Sequence, residues 1–560
     1  MPDTPSHPLL RALRPLRERL REAWSVLRRR GPSQIQFWFI ALAIGLASGT
    51  AALFFRKGIS ALQAGAYGTD ALDLARLAAG LPWWWVLTVP ILGGLAVGLI
   101  LHRFTPDGRV RAVADVIAGA ALDRGRVETR AGLASAAASL ITLGTGGSSG
   151  REGPVVHLAG VIATWVSERI GADGITGRDL LGCAVAAAVS ASFNAPIAGT
   201  IFALEVVLRH FAIRAFAPIA IAAVAGTVIN RLEYGGVTEF LLPVHGGFAF
   251  YAELPAFLLL GLVSGLVAVA LMRSVLFADD LGTRLQRATG LPRWLRPALA
   301  GAVLGAIAVP FPNVIGVGYE TTSLALTGQI GLATAIVYAG VKVLAVAVTL
   351  GGRMGGGMFS PALVVGALSG LAFGLIAAAF APDMAGAGTI YALAGMGAVA
   401  AAVLGAPIST TLIVFEMTGD WATGIAVMTS VSLSTALASR LVNRSFFLTQ
   451  LERRGLRLAS GPQAYLGRTI RLAELLRPLD HPEAAPEAAC RAQIAAGSDL
   501  DAAEELDTAL RVFETTGAEY LAVTRRDATG TPVLLGALFQ TDALRAYARA
   551  LAASAAEEHS

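Results

Sequence analysis

AVAAAVSASFNAPIAGTIFALE at residues 184–205 and AVAAAVLGAPISTTLIVFE at residues 398–416 are two copies of one pattern. Each copy begins with the same six apolar residues and continues into Ala-Pro-Ile, with a Thr four residues after the Pro and a Glu nine residues after it. Chance similarity between two Ala-rich helices explains the hexapeptide, but it does not explain the shared register of Pro, Thr and Glu. The chain is therefore predicted to contain two related halves.

The composition of the 560-residue chain indicates that these halves lie in a membrane. Apolar residues make up 55% of the chain and charged residues only 15%, a balance that soluble domains of this length rarely show. Apolar runs near the roughly 20 residues that span a bilayer recur. They cover residues 34–55, 83–101, 256–271, 330–350 and 362–381. We therefore predict a polytopic membrane protein, with Trp83 to Trp85 in an aromatic belt at the interface.

The N-terminal arm, residues 1–33, is rich in arginine. No apolar core follows it closely enough to form a cleavable signal peptide. The positive-inside rule predicts that the arm is cytoplasmic, either as a solvated basic tail or as an amphipathic helix on anionic lipid. The net charge of +5 therefore needs no nucleic acid to explain it, and no nucleic-acid-binding motif is present.

Residues 456–560 are predicted to form a cytoplasmic tail, because no membrane-length apolar run recurs there. The pattern predicts a helix, two strands and a second helix, over residues 505–515, 520–524, 532–538 and 541–551. This order resembles one half of a CBS pair, and an unrelated small α/β tail is the alternative. Cys183 lies in an apolar segment and Cys490 in the tail, so no disulfide, metal site or cofactor is predicted.

Two segments of the membrane part have the features of helix starts that bind anions. Gly150-Arg151-Glu152-Gly153-Pro154 and the run Gly-Gly-Gly-Met-Phe-Ser-Pro at 355–361 each place glycine before a proline in the first turn. Glycine lets the backbone approach a ligand, proline suits the first turn, and the positive end of the helix dipole favours an anion. Inside a bilayer, unpaired N–H groups are tolerated only where a polar group meets them. The predicted ligand is a small anion.

Four motifs resemble the CLC family of anion channels and transporters in sequence, order and spacing. They are GREGP at 150–154, FNAPIAGTIFALE at 193–205, GGMFSP at 356–361 and GAPISTTLIVFEMTGD at 405–420. The resemblance covers roughly residues 35–455. It implies an all-α integral membrane fold of about eighteen helical segments, in two inverted halves at about 34–233 and 250–455, with a small α/β C-terminal tail after residue 455. It also implies a homodimer in the plasma (inner) membrane, with both termini cytoplasmic and one pore per subunit for small inorganic anions, chloride first.

The resemblance also assigns roles to individual residues. Glu152 is implied to be the gating glutamate, which occupies an anion site when ionised and leaves it when protonated or displaced by the anion. The residue itself supports this, because an ionisable side chain inside the membrane indicates function. The backbone groups implied to coordinate the anion are those of Arg151, Glu152, Gly153, Met358 and Phe359. Phe447 stands where many members have a tyrosine that contacts the anion.

One departure from the family pattern concerns proton coupling. Proton-coupled members carry a second glutamate directly after the position of Glu205, and this chain has Val206 there. Valine at this position is similar to channel-type members. Weak or absent proton antiport is therefore predicted, and Glu205 or Glu416 would be the relay if coupling were found.

A second departure concerns arginines near the anion site. Where the family has Gly-Ser-Gly-Ile-Pro, this chain reads Gly-Arg-Val-Arg at 108–111. The alignment that keeps the glycine puts Arg109 in the serine position, and an alignment shifted by two residues puts Arg111 there. Arg353 replaces a usual glycine before GGMFSP.

A buried arginine in a membrane is too costly to have no partner. It either supplies positive charge to the pore or pairs near the interface with Asp107, Asp115 or Glu205. In the first case its planar fork fits an oxyanion better than a halide. Bicarbonate or nitrate is then the alternative to chloride.

Two other classes of function are weighed. Gly147-Ser148-Ser149-Gly150 fits the motif of an intramembrane serine protease, which needs a histidine base. The candidate bases are His102, His157 and His210. An enzyme does not explain the duplication, so none is predicted, and a membrane-bound scaffold is the other remote alternative. His157 is expected to line or support the site, or to assist proton access to Glu152.

Overall fold

The structure is a computed structural model. It describes residues 33–559 with gaps at 70–72, 173, 212, 237–239, 241–249, 381, 383–387, 457, 459–465 and 528–530. The predicted basic arm lies outside the described residues except for Ser33, whose hydroxyl accepts a hydrogen bond from the Gln36 N–H and caps the first helix.

Eighteen α-helices lie in the described residues between 34 and 452. In chain order they are α1 Gln34–Tyr67, α2 Leu74–Ala78, α3 Trp83–Phe104, α4 Val113–Leu122, α5 Thr129–Gly144, α6 Glu152–Ile170, α7 Gly174–Phe193, α8 Pro196–Phe202, α9 Ile213–Tyr234, α10 Phe250–Thr289, α11 Arg296–Ala308, α12 Tyr319–Leu326, α13 Leu332–Gly351, α14 Phe359–Phe380, α15 Gly388–Leu404, α16 Pro407–Thr418, α17 Trp421–Val442 and α18 Phe446–Glu452. A π-helical turn, Ala203–Leu208, extends α8. The predicted all-α membrane fold of about eighteen segments is confirmed.

Seven helical segments of the described chain are long and apolar enough to cross a bilayer. They include α1, α3, α10, α13 and α14, which overlap the five apolar runs predicted from the sequence and match them within two residues where the run extends past the helix. Large apolar side chains on their outer faces are exposed, as expected where lipid replaces water as the solvent. Phe54, Leu92 and Phe277, for example, are each 64–66% exposed. The protein is a multi-pass membrane protein.

The duplicated sequence folds into the same local structure twice. In the first half α7 ends at Phe193 and α8 begins at Pro196, and in the second half α15 ends at Leu404 and α16 begins at Pro407. The turn residues Asn194 and Gly405 occupy equivalent positions and are both left-handed, with φ of 57° and 69°. Glycine adopts this conformation freely and asparagine tolerates it better than most residues.

The two repeated glutamates, Glu205 and Glu416, join the halves reciprocally. The carboxylate of Glu205 accepts hydrogen bonds from the N–H groups of Ile408 and Ser409 at 3.0 and 2.8 Å, and from the Ser409 hydroxyl at 2.7 Å. The carboxylate of Glu416 accepts from the N–H groups of Ile197 and Ala198 at 3.0 and 2.7 Å. Each carboxylate thus pairs the free donors at the start of the opposite half's helix and complements its dipole.

The C-terminal region folds into a small α/β unit. Its helices are α19 Leu466–Thr469, α20 Glu487–Ala495, α21 Leu506–Thr516 and α22 Gln540–His559, and its strands are β1 Arg477–Pro478, β2 Leu500–Asp501, β3 Tyr520–Arg526 and β4 Pro532–Phe539. The strands form one sheet in the order β1-β4-β3-β2, parallel only between β2 and β3. The amphipathic helix α21 buries Leu506 and Phe513 against Val523 of the sheet. The predicted helix, two strands and helix correspond to α21, β3, β4 and α22.

Candidate functional site

Two helix starts meet in the interior of the membrane part. The backbones of Gly150, just before α6, and Gly357, just before α14, pair as an antiparallel bridge with N–H to O distances of 2.8 and 2.7 Å. The Ser149 hydroxyl adds a hydrogen bond to the carbonyl oxygen of Gly355 at 3.0 Å. The bridge brings the positive ends of α6 and α14 to one place.

Glu152 lies at this junction. It is only 2% exposed, and its Oε1 accepts a hydrogen bond from the Ser360 hydroxyl, in the first turn of α14, at 2.6 Å. Its Oε2 has no hydrogen-bond partner among the described residues. A carboxylate therefore occupies the position where two helix starts favour negative charge, and one of its oxygens is not tied to the protein.

Glycine is required at this junction for steric reasons. A Cβ on Gly150 would lie 2.7 Å from Glu152 Oε2 and 3.0 Å from the Ser360 nitrogen. Gly356 has φ of 119°, and a Cβ there would lie 2.0 Å from the Ser149 hydroxyl oxygen. Any side chain at either position would displace the carboxylate or separate the two loops.

A third helix start approaches the same place. Helix α4 begins at Val113 with Ala112 as its N-cap, and the Ala112 N–H donates to Asp115 Oδ2 at 2.9 Å. A Cβ on Gly153 would lie 3.6 Å from the Ala112 Cβ. Arg109 and Arg111, the two candidates for the serine position, lie in the segment that leads to this N-cap, and their role at the anion site stays a prediction.

Arg111, which directly precedes the N-cap of α4, pairs with acidic residues. Its guanidinium contacts Glu128 at 2.9 Å and Asp107 at 3.0 Å. The backbone N–H of Arg111 donates to the Ser135 hydroxyl. Asp107 follows the end of α3. Burial acts to raise the pKa of Asp107, but the charge and hydrogen bonds of Arg111 outweigh it and hold this pKa below its usual value.

Arg109 and Arg353 converge on one acidic residue, Asp279 of α10. Their guanidinium nitrogens both lie 3.5 Å from the carboxylate of Asp279, and Arg296 contacts the same carboxylate at 2.8 Å. Arg353 adopts a left-handed backbone with φ of 60°, a conformation that favours glycine. Three guanidinium groups therefore share one negative charge. The oxyanion alternative needed a guanidinium at the helix starts, whereas that of Arg109 contacts Asp279.

A cavity of about 390 Å³ connects several of the predicted residues, and we call it the vestibule. Arg109, Arg353, Gly357, Met358 and Phe447 line it together. The vestibule therefore extends from the bridge before α14 to the segment of α18 that precedes the tail. The Phe359 side chain points elsewhere and packs against Phe193, with ring centroids 4.7 Å apart.

Arg151 lies on another side of the junction. Its guanidinium donates to the Ser192 carbonyl oxygen at 3.1 Å and lies 5.3 Å from the centre of the Tyr319 ring. The side chain is nearly buried, so its charge lies within the protein close to Glu152. Tyr319 was not predicted, and no local motif marks it.

The residues predicted to bear on proton coupling differ from Glu152 in chemistry or in hydrogen bonding. Val206 is buried and carries no titratable group. The carboxylates of Glu205 and Glu416 are held at the helix starts described above. His157, in α6, is 1% exposed, and neither ring nitrogen has a hydrogen-bond partner among the described residues.

Among the described residues, Ser149 and the candidate histidines do not form the serine–histidine pair that a serine protease needs. The hydroxyl of Ser149 donates to a backbone carbonyl, and among the described residues it makes no hydrogen bond to a histidine.

Two residues of the site could not be singled out from the sequence. One is Ser360, although it lies within the GGMFSP motif. Asp279 was also missed, because it is far in sequence from the arginines it contacts.

Comparison with known proteins gives one consistent result. The family model described as voltage gated chloride channel matches residues 93–439. A putative chloride channel protein, ClcB-like, from Ralstonia nicotianae is 33% identical over 385 residues, which cover 68% of this chain and 88% of that protein. The voltage-gated ClC-type chloride channel ClcB of Salmonella dublin is 29% identical, over 73% of this chain and 97% of its own length.

Other relatives are longer or more distant. Chloride channel protein CLC-e of Arabidopsis thaliana is 29% identical, and the match spans 60% of its length. The crystal structure of a slow cyanobacterial Cl⁻/H⁺ antiporter superposes with a TM-score of 0.66 at 21% identity, covering 75% of this chain and 97% of that one. A CLC-type fluoride/proton antiporter gives 0.60 at 19% identity, covering 72% and 95%. These structures show that the fold is shared.

Proposed function

The chain belongs to the voltage-gated chloride channel (CLC) family of anion transport proteins, and we propose that it conducts chloride through a pore that Glu152 opens and closes. The observation that carries the proposal is the position of this carboxylate at the junction of α6 and α14. One oxygen is held by Ser360 and the other has no hydrogen-bond partner among the described residues. Ionised Glu152 then occupies the site of the permeating anion.

Opening follows from the same geometry. The positive ends of two helices stabilise whichever anion lies between them, so chloride and the Glu152 carboxylate compete for one position. Protonation removes the charge of the carboxylate and with it the attraction to the helix starts. The pore therefore opens when Glu152 is protonated or displaced, and the anion continues between the junction and the vestibule.

Proton coupling is proposed to be weak or absent. Val206 cannot carry a proton, and the carboxylates of Glu205 and Glu416 are already engaged in capping helices across the two halves. A carboxylate that moved to carry a proton would leave these backbone N–H groups unpaired inside the membrane part. Neither residue is therefore proposed as a relay.

The working unit is proposed to be a homodimer with one pore in each subunit. Ile197 and Ile408, at equivalent positions of α8 and α16, are 56% and 51% exposed. The N–H groups of Ile197 and Ile408 at these helix starts donate to the partly exposed carboxylates of Glu416 and Glu205. Lipid tolerates neither open helix starts nor charged side chains, so a second copy is proposed to cover this surface. Ile197→Trp with Ile408→Trp is expected to lower the molar mass measured in detergent to that of one chain.

The proposed location is the plasma (inner) membrane, with residues 34–455 in the bilayer. The arm at 1–33 and the tail at 456–560 are proposed to face the cytoplasm. Arg453 and Arg454 lie where the membrane part ends and the tail begins, as the positive-inside rule requires. The tail is proposed to be a single CBS-like module.

The test is anion flux from liposomes that contain the purified protein, with chloride and other anions compared while internal pH is recorded. We expect chloride flux with little coupled proton movement. A chloride gradient that drives protons uphill at fixed stoichiometry would contradict the coupling proposal. Absence of flux for every anion, with the protein correctly folded, would contradict the proposed function itself.

A further inference from the structure

The vestibule carries more positive charge than a path for single chloride ions requires. Its lining includes five arginines and three aspartates. The arginines are Arg109, Arg287, Arg353, Arg453 and Arg454. Asp279 is also shared with Arg296, which lies outside the lining. An excess of positive charge therefore remains even when every aspartate is ionised.

Each aspartate of the lining already pairs with at least one arginine, so the aspartates do not neutralise the excess positive charge. Asp280 contacts Arg453 at 2.9 Å, Asp115 contacts Arg454 at 2.6 Å, and Asp279 divides its charge among three guanidinium groups. Arg287, in the last turns of α10, is exposed and forms no ion pair with any described residue. No acceptor for this guanidinium is supplied by the described part of the chain.

Arg353 gives a second and independent indication. Its φ of 60° is a conformation that costs an arginine of order 1 kcal/mol and a glycine nothing comparable. The surrounding chain is rich in glycine, yet an arginine occupies this position and directs its guanidinium toward the vestibule lining. A strained backbone at a charged side chain indicates a function for that charge.

We propose that the vestibule binds a polyvalent phosphate anion from solution and that this anion blocks chloride flux. Guanidinium groups present paired donors that match phosphate oxygens, whereas a halide has no such geometry. A cavity of about 390 Å³ is far larger than a single chloride ion needs. Thr283 and Gln450 add neutral polar groups to the same lining.

The block acts from one side of the membrane only. The vestibule lies at the end of the membrane part where α18 leads into the tail, so a phosphate anion reaches it from the tail side. A bound polyvalent anion both fills the vestibule and repels chloride. The effect on flux rests on the proposed function, whereas binding of the phosphate anion does not.

The first experiment measures binding of inorganic pyrophosphate to the purified full-length protein by calorimetry. Arg287→Gln is the main variant, because the side chain is exposed and its loss breaks no ion pair within the described structure. We expect Arg287→Gln to weaken binding about tenfold, the loss of one charge-assisted contact. Arg284→Gln is the matched control: it makes the same charge change one turn earlier on α10 and lies outside the vestibule lining, so its affinity should equal the parent's.

The second experiment adds pyrophosphate to one side of a planar bilayer that contains the oriented protein. Block from the tail side alone, relieved in Arg287→Gln and retained in Arg284→Gln, supports the proposal. Absence of pyrophosphate binding overturns it, as does equal weakening in the two variants, which would indicate a general effect of surface charge. If pyrophosphate binds but the protein moves no chloride, the proposed function fails while the phosphate site stands.

Discussion

The two halves of the membrane part have equivalent residues at the contacts that join them. At the proposed anion pathway their residues differ. Glu205 and Glu416 occupy equivalent positions and cap each other's helix starts at almost equal distances of 2.7–3.0 Å. At the pathway, by contrast, α6 begins with Glu152 whereas α14 begins with Phe359 and Ser360. The duplicated residues form the scaffold, and the residues that differ between the halves form the proposed site.

The difference has a physical reason. Each half needs its helix starts satisfied inside the membrane, and a glutamate from the other half does this equally well in both directions. A gate works differently, because two carboxylates at one small site would repel each other and would not ionise together. One half therefore supplies the acid, and the other supplies the Ser360 hydroxyl that holds it.

The largest effect is expected from the gate itself. Glu152→Gln removes the charge that competes with chloride, so flux at neutral pH should rise severalfold and lose its dependence on external pH. In the parent protein, flux should increase as pH falls, because protonation neutralises Glu152. Liposome flux measured over a pH series tests both statements.

Ser360→Ala is the matched change in the other half. It removes the hydrogen bond to Glu152 Oε1 but leaves the carboxylate, so flux should keep its pH dependence while its midpoint moves to higher pH. If Glu152→Gln retained the parent's pH response, Glu152 would have no part in gating. The contrast between the two halves at the pathway would then lose its meaning.

A smaller effect is expected when the shared scaffold is broken. Glu205→Ala and Glu416→Ala each leave backbone N–H donors unpaired, at a cost of about 2 kcal/mol of folding stability. The loss should be slightly greater for Glu205, which also accepts from the Ser409 hydroxyl. Thermal unfolding in detergent measures the two losses. Strongly unequal values, beyond this one hydrogen bond, would show that the halves do not support each other equally.

Much of this arrangement could be predicted from the sequence. The repeated Pro, Thr and Glu predicted the duplication, and the GREGP and GGMFSP motifs predicted two helix starts and Glu152, because glycine, proline and dipole constraints act within a few residues. The start of α4 was harder, since Ala112 carries no motif and the sequence alone left Arg109 and Arg111 as alternatives. Asp279 could not be found, because its three arginine partners lie on separate segments that only the fold brings together.

The smallest effect is expected at the two arginines that precede helix starts in the two halves, Arg109 before α4 and Arg353 before α14. If these guanidinium groups act on the anion, Arg109→Ser should shift anion preference toward chloride over bicarbonate or nitrate, and Arg353→Gly should do so less. The structure favours the same order of effects, since the Arg109 side chain is 33% exposed and that of Arg353 only 14%.

In both variants Asp279 retains two guanidinium partners, so the loss is one partly screened charge in the vestibule. Arg109→Ser should lower chloride flux about twofold at low ionic strength and leave it unchanged at high salt. Arg353→Gly should change flux less and also gain stability, because glycine relieves the left-handed backbone at φ of 60°. Flux and anion preference, measured at two salt concentrations, test these statements together with thermal unfolding. If Arg109→Ser matched the parent in anion preference and at both salt concentrations, its guanidinium would only pair with Asp279, and the anion would pass without sensing it.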